Sequence, residues 1–122
     1  MREILFRGKT ILGKWIEGDL LQYLGCGKVH IVQYYKGAGG QEVIPETVGQ
    51  YTGLTDKNGK KIFEGDIIER NWFIYRVEYE GGMASFIGQR EASYTTFDYD
   101  ATDFVVIGNI YDNTELFRGD TE

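Results

Sequence analysis

Residues 46–68 read ETVGQYTGLTDKNGKKIFEGDII. Four glycines, Gly49, Gly53, Gly59 and Gly65, separate short apolar pieces: Val48 and Tyr51, then Leu54, then Ile62 and Phe63, then Ile67 and Ile68. Glycine tolerates positive φ and close backbone approach, so the rhythm is strand, turn, strand. Asn58-Gly59, inside Asp56-Lys57-Asn58-Gly59-Lys60, predicts a type I′ turn, because both of its central residues need φ > 0. Glu64-Gly65-Asp66 predicts a sharp bend in which the Asp66 carboxylate accepts a nearby backbone N–H before a new strand begins.

Outward from this block, Ile4 and Phe6 predict a first strand, with a turn over residues 8–13. Residues 15–21 predict a second strand with an irregularity at Gly18-Asp19, since an isolated glycine in a strand often marks a bulge. Gly25-Cys26-Gly27 is the next turn, and residues 29–35 a third strand with Val29 and Ile31 on one face. Residues 37–40, Gly-Ala-Gly-Gly, form a flexible link, so the chain divides into an N-terminal β segment, 1–40, packed on or extending a main domain, 41–122. Pro45 favours extended backbone at Ile44. Phe73, Tyr75, Val77 and Tyr79 alternate along residues 72–80; Gly81-Gly82 turns the chain and residues 83–87 return. Residues 89–101, polar and rich in tyrosine, suit a long loop or an irregular edge. Residues 104–111 close the sheet, and Asp112 or Asn113 caps one short helical turn through Phe117.

Three blocks together carry a family resemblance. Residues 46–68, Arg2-Glu3-Ile4 with Phe6-Arg7-Gly8, and Val106-Ile107-Gly108-Asn109-Ile110-Tyr111 resemble, in order, the YopX family of phage and prophage proteins. The motif positions are Gly49, Tyr51, Gly53, Asp56, Asn58, Gly59, Gly65, Asp66, Gly108 and Asn109. The resemblance spans nearly the whole chain and implies a mainly β protein of small antiparallel sheets, of phage-related origin, with an SH3-like roll or barrel over residues 41–122 that includes the C-terminal strand and the short helical turn. It brings no established activity and no catalytic residues. Thr114 stands where proline is expected before Glu115-Leu116, and residues 94–99 match nothing in the family pattern.

The 122 residues suffice for one domain with a core of its own; 42% are hydrophobic and 15% aromatic. No apolar run approaches the ~18 residues of a membrane-spanning helix, and the charged start is no signal peptide, so the expected place is the cytoplasm of a bacterial host. One cysteine, Cys26, and one histidine, His30, exclude an intramolecular disulfide and a zinc site of several Cys and His ligands. The net charge of −6 is uneven: residues 1–36 carry six basic and three acidic residues, residues 37–122 seven and sixteen. Parts of opposite sign can dock within a chain or between copies, although such asymmetry is also ordinary surface variation.

Gly25-Cys26-Gly27-Lys28 lacks the spacing and the Ser or Thr of a phosphate loop, and Gly37-Ala38-Gly39-Gly40 lacks the dinucleotide fingerprint. Asp56, Asn58 and Glu64 miss the EF-hand positions, with Lys57, Lys60 and Lys61 repelling a cation. Asp98, Asp100 and Asp103 offer carboxylates for a small hydrolase, against a solvated acidic loop. His30 and Cys26 are close only in sequence. The tyrosines and tryptophans exceed what a small core buries, and Trp15, Tyr34, Tyr35, Trp72, Tyr94 and Tyr99 are the candidate contact surface. The leading expectation is a non-enzymatic interaction or self-assembly module, a homo-oligomer or binder of a host or phage protein, without cofactor or metal. The alternative is a nucleic-acid-associated accessory protein, which the acidic balance opposes; a hydrolase using the acidic cluster comes last.

Overall fold

The computed structural model describes residues 3–33, 40–97 and 103–116. They form two antiparallel sheets, with one 3-10 turn and one helical turn at 114–116. Contacts divide the chain into two compact units, Met1–Tyr51 and Thr52–Glu122. The strand Gln41–Val43, which the sequence places at the start of the main domain, pairs within the first unit.

In the first unit β1 (Phe6–Lys9), β2 (Trp15–Tyr23), β3 (Lys28–Val32), β4 (Gln41–Val43) and the start of β5 (Gly49–Thr55) line up as β4-β3-β2-β1-β5. β2 has two partners. Trp15 to Gly18 pair with β1, and Asp19 to Tyr23 pair with β3. Gly18 marks the changeover instead of the expected bulge: a Cβ there would lie 2.3 Å from the Val32 carbonyl oxygen, so the crossing needs a residue without one. Gly8, expected in a turn, lies inside β1, and a Cβ there would meet Val43 at 2.8 Å. The turn itself runs from Thr10 to Lys14, with Gly13 at φ 87°. Ile44 donates its N–H to the Lys9 carbonyl (2.8 Å), and Lys9 donates its own to Thr47 Oγ1 (2.9 Å). The sheet therefore curls until the end of β4 lies against β1. Ile16, Val29, Ile31 and Val43 form the core of this roll, flanked by Phe6, Leu20 and Val48. Ile44 is extended, as Pro45 requires, and Pro45–Thr47 is the 3-10 turn.

In the second unit the end of β5 leads into β6 (Lys61–Phe63), and Thr52 Oγ1 donates to the Ile62 carbonyl. The turn between them is not type I′. Gly59 alone has positive φ, 81°; Gly59 N–H donates to the Asp56 carbonyl, Asp56 N–H to the Lys60 carbonyl, and Asp56 Oδ1 accepts the N–H groups of Asn58 and Lys60 at 2.9 Å. This is a three-residue connection whose left-handed residue is glycine. An aspartate able to accept two turn N–H groups favours it over the two-residue form.

β7 (Asp66–Arg70), β8 (Phe73–Glu80), β9 (Ser85–Arg90), β10 (Ser93–Thr96) and β11 (Val105–Asn109) form a five-stranded sheet in the order β10-β9-β8-β7-β11, with no closed barrel among the described residues. The expected bend at Gly65 is present, with φ 94°, and buried Asp66 accepts the Phe63 N–H at 2.8 Å. Of the two forms expected for residues 89–97 the structure takes the edge, but a regular one: β9 runs to Arg90, two residues turn, and β10 pairs back on it as an edge strand. Residues 98–101 of that expected loop, like 34–39 of the third strand and glycine link, lie outside the described residues. Ile62, Ile68, Tyr75, Val77 and Phe104 form the core, with Leu54, Phe97 and Val106 against it. β11 carries a bulge between Val106 and Gly108. The Asn113 side chain does not cap the helical turn; its Oδ1 accepts the Asn109 N–H, over a Gly108 that leaves room for it.

Candidate interaction surface

The motif residues are occupied with backbone. Gly49 pairs with Arg7, and Tyr51 donates its N–H to Leu5. Gly53 takes φ 89°. Asn109 Oδ1 accepts the N–H groups of Tyr111 and Asp112 at 2.9 Å. Asp56 does most: besides its turn it reaches β11, where Oδ2 accepts the Val106 N–H at 2.9 Å. Burial pushes its carboxyl up, but the N–H groups of Val106, Lys60 and Asn58, with the charge of Lys60, outweigh that and hold it below the ordinary 3.8. This is a structural carboxylate, fully engaged.

Of the three candidate acids only Asp103 is among the described residues. Asp98 and Asp100 lie outside them, and Asp103 sits 3.7 Å from Arg70. Cys26 is exposed in its turn, and the His30 ring meets Tyr23 edge-on at 4.8 Å. Among the described residues no group of three or more His, Cys, Asp or Glu could hold a metal.

The candidate aromatics separate into distinct environments. Tyr34, Tyr35 and Tyr99 lie outside the described residues. Trp15 is half-buried, with the Arg7 guanidinium 4.9 Å and the Lys9 ammonium 5.9 Å from its ring. Tyr94 is about half exposed on the edge strand; its register with Gln89, and Gln89's with Arg76, puts it on the sheet face opposite Phe73.

Trp72 is unlike the others. Arg70 pairs with Phe73, so Asn71 and Trp72 alone connect β7 to β8, at φ 53° and 74°. That is the type I′ pattern, whose second position glycine normally fills. A bulky side chain there strains the backbone, at a cost on the order of 1–3 kcal/mol. Burial of its own side chain does not offset this, for Trp72 is 93% exposed. Beside it Phe73 is half exposed, with the Arg90 guanidinium 4.6 Å over its ring. Arg70 lies 4.3 Å over Phe104 and donates to Thr95 Oγ1. The tip is thus a projecting indole on a base of stacked arginines and rings.

A second apolar feature, in the first unit, escaped the sequence. The turn after β1 and the segment after β4 enclose an open groove of about 730 Å³, lined chiefly by Ile11, Leu12, Lys14, Val43, Ile44 and Pro45. Ile11 and Leu12 are 85% and 92% exposed. In sequence they were part of a turn; only the curl of β4 onto β1 makes them one wall of a groove.

Comparison with known proteins agrees with the fold. A family model described as YopX protein matches residues 5–118. Among solved structures, protein EF1440 from Enterococcus faecalis superposes with a TM-score of 0.55 at 21% identity, covering 96% of this chain and 99% of that one. At that identity the likeness concerns the fold alone. A search of curated proteins finds no match.

Proposed function

The chain belongs to the YopX family, and from that premise we propose that it is a phage- or prophage-derived, non-enzymatic interaction module that contacts its partner through the Trp72 hairpin tip. The observation that carries this reading is the pairing of strain with exposure at Trp72. Backbone strain clusters at functional sites, and tryptophan is among the residues enriched at the energetic centres of protein interfaces. The partner is a protein, a second copy or a host or phage protein, more readily than a nucleic acid. Residues 52–122 carry fourteen acidic and seven basic side chains, and Arg70 and Arg90 lie over rings of their own sheet. The SH3-like roll, which the resemblance placed in residues 41–122, we assign instead to β1–β4, where the sheet curls back on itself, and the module works in the bacterial cytoplasm without metal or cofactor.

The test is affinity capture of the tagged protein from bacterial lysate, with and without nuclease, comparing wild type with Trp72→Gly, a substitution the turn accommodates. A nuclease-resistant protein, or the chain itself, recovered in stoichiometric amount with wild type and lost with the variant is expected. Recovery that is unchanged by the variant, or that disappears with nuclease, overturns the reading.

A further inference from the structure

We propose that the Trp72 tip of one copy seats in the Ile11–Leu12 groove of a second copy, making a heterologous, head-to-tail self-association. The proposal rests on the assignment of the tip as a contact and names its partner. Three observations support the pairing. The groove is open and mainly apolar, and its volume of about 730 Å³ is within the ~300–1,000 Å³ of sites that enclose compact groups. An indole inserted there would remove Ile11 and Leu12 from water together with itself, the largest exposed apolar side chains of the two features. The polar lining suits an indole too: Lys14 can face the ring, and Glu42 can accept the Nε1–H.

Charge favours the same arrangement. Residues 1–51, which hold the groove, carry six basic and five acidic side chains, whereas residues 52–122, which hold the tip, carry seven and fourteen. Contact between unlike segments of two copies relieves the repulsion that contact between two acidic segments would add. Because tip and groove are different surfaces, each contact leaves one of each unfilled, so the association closes into a ring or grows as a chain.

The measurement is sedimentation velocity of the full-length protein over a dilution series, for wild type, Trp72→Gly and Leu12→Asp. Leu12 is 92% exposed, so its substitution leaves the core alone. Wild type is expected to associate with concentration; each variant should weaken association about ten-fold or more, as loss of a central anchor does. An equimolar mixture of the two variants should recover a discrete dimer, since one supplies the groove and the other the tip. A monomeric wild type, or a mixture that stays monomeric, overturns the proposal. Association lost in Trp72→Gly but intact in Leu12→Asp overturns the groove assignment while leaving the tip as a contact.

Discussion

At the scale of single residues, the chain's acids and its oddly placed tryptophan do opposite things. Asp56 is buried and engaged by three backbone N–H groups. Its folded-state value lies below the unfolded one, so its contribution is fully present above about 3.8 and is lost as pH falls through the lower, folded value. Asp56→Asn points an amide N–H at a backbone donor and is expected to lower stability by about 2–3 kcal/mol. Urea denaturation at neutral pH should show this loss, and between pH 5 and 2 the variant should lose less stability than wild type. Trp72→Gly should act in the other direction. Strain relieved, less the greater freedom of glycine in the unfolded chain, gives a gain of about 1 kcal/mol; an unchanged or lower urea midpoint would show the turn to be unstrained. Gly18→Ala places a methyl carbon against the Val32 carbonyl, where backbone cannot give way, and should cost more than 2 kcal/mol in the same assay.

At the scale of elements, what could be read from the sequence follows from how local each signal is. Tyr75 and Val77 alternate as predicted and are buried, because period-two patterning is written in neighbouring residues. The Asp66 bend is likewise local and took its predicted form. Asn58-Gly59 misled because Asp56, two positions upstream, competes for the same turn N–H groups. The β10 hairpin was read only as a loop or an irregular edge for a related reason: Glu91-Ala92 carries no turn signature, and Ser93-Tyr94-Thr95-Thr96 reads as polar although Tyr and Thr are good strand formers. The contact surface divides in the same way. Trp72 was legible as a surplus aromatic, but its strain and exposure were not, since Asn71 without a glycine after it is a weak signal for a two-residue turn. The Ile11–Leu12 groove was invisible because it depends on β4 meeting β1 across more than thirty intervening residues. Gly59→Ala tests the observed turn, in which only one residue needs positive φ; it should cost about 1 kcal/mol by thermal melting.

At the scale of the molecule, each unit has its own cluster of buried side chains, one centred on Ile31 and the other on Ile62 and Phe104. The chain holds two tryptophans, and they fall one to each unit: Trp15, half-buried under Arg7, and Trp72, already in water. Indole emission reports the polarity around the ring, so the two respond unequally when the protein melts. At a dilution that keeps copies apart, unfolding the first unit changes the surroundings of Trp15, while unfolding the second leaves Trp72 as hydrated as before. The protein therefore carries an intrinsic optical label on residues 1–51 and a nearly silent one on the remainder. A melting curve recorded by fluorescence follows the first unit, one recorded by far-ultraviolet dichroism follows both, and the separation of the two midpoints measures directly how far the units melt as one.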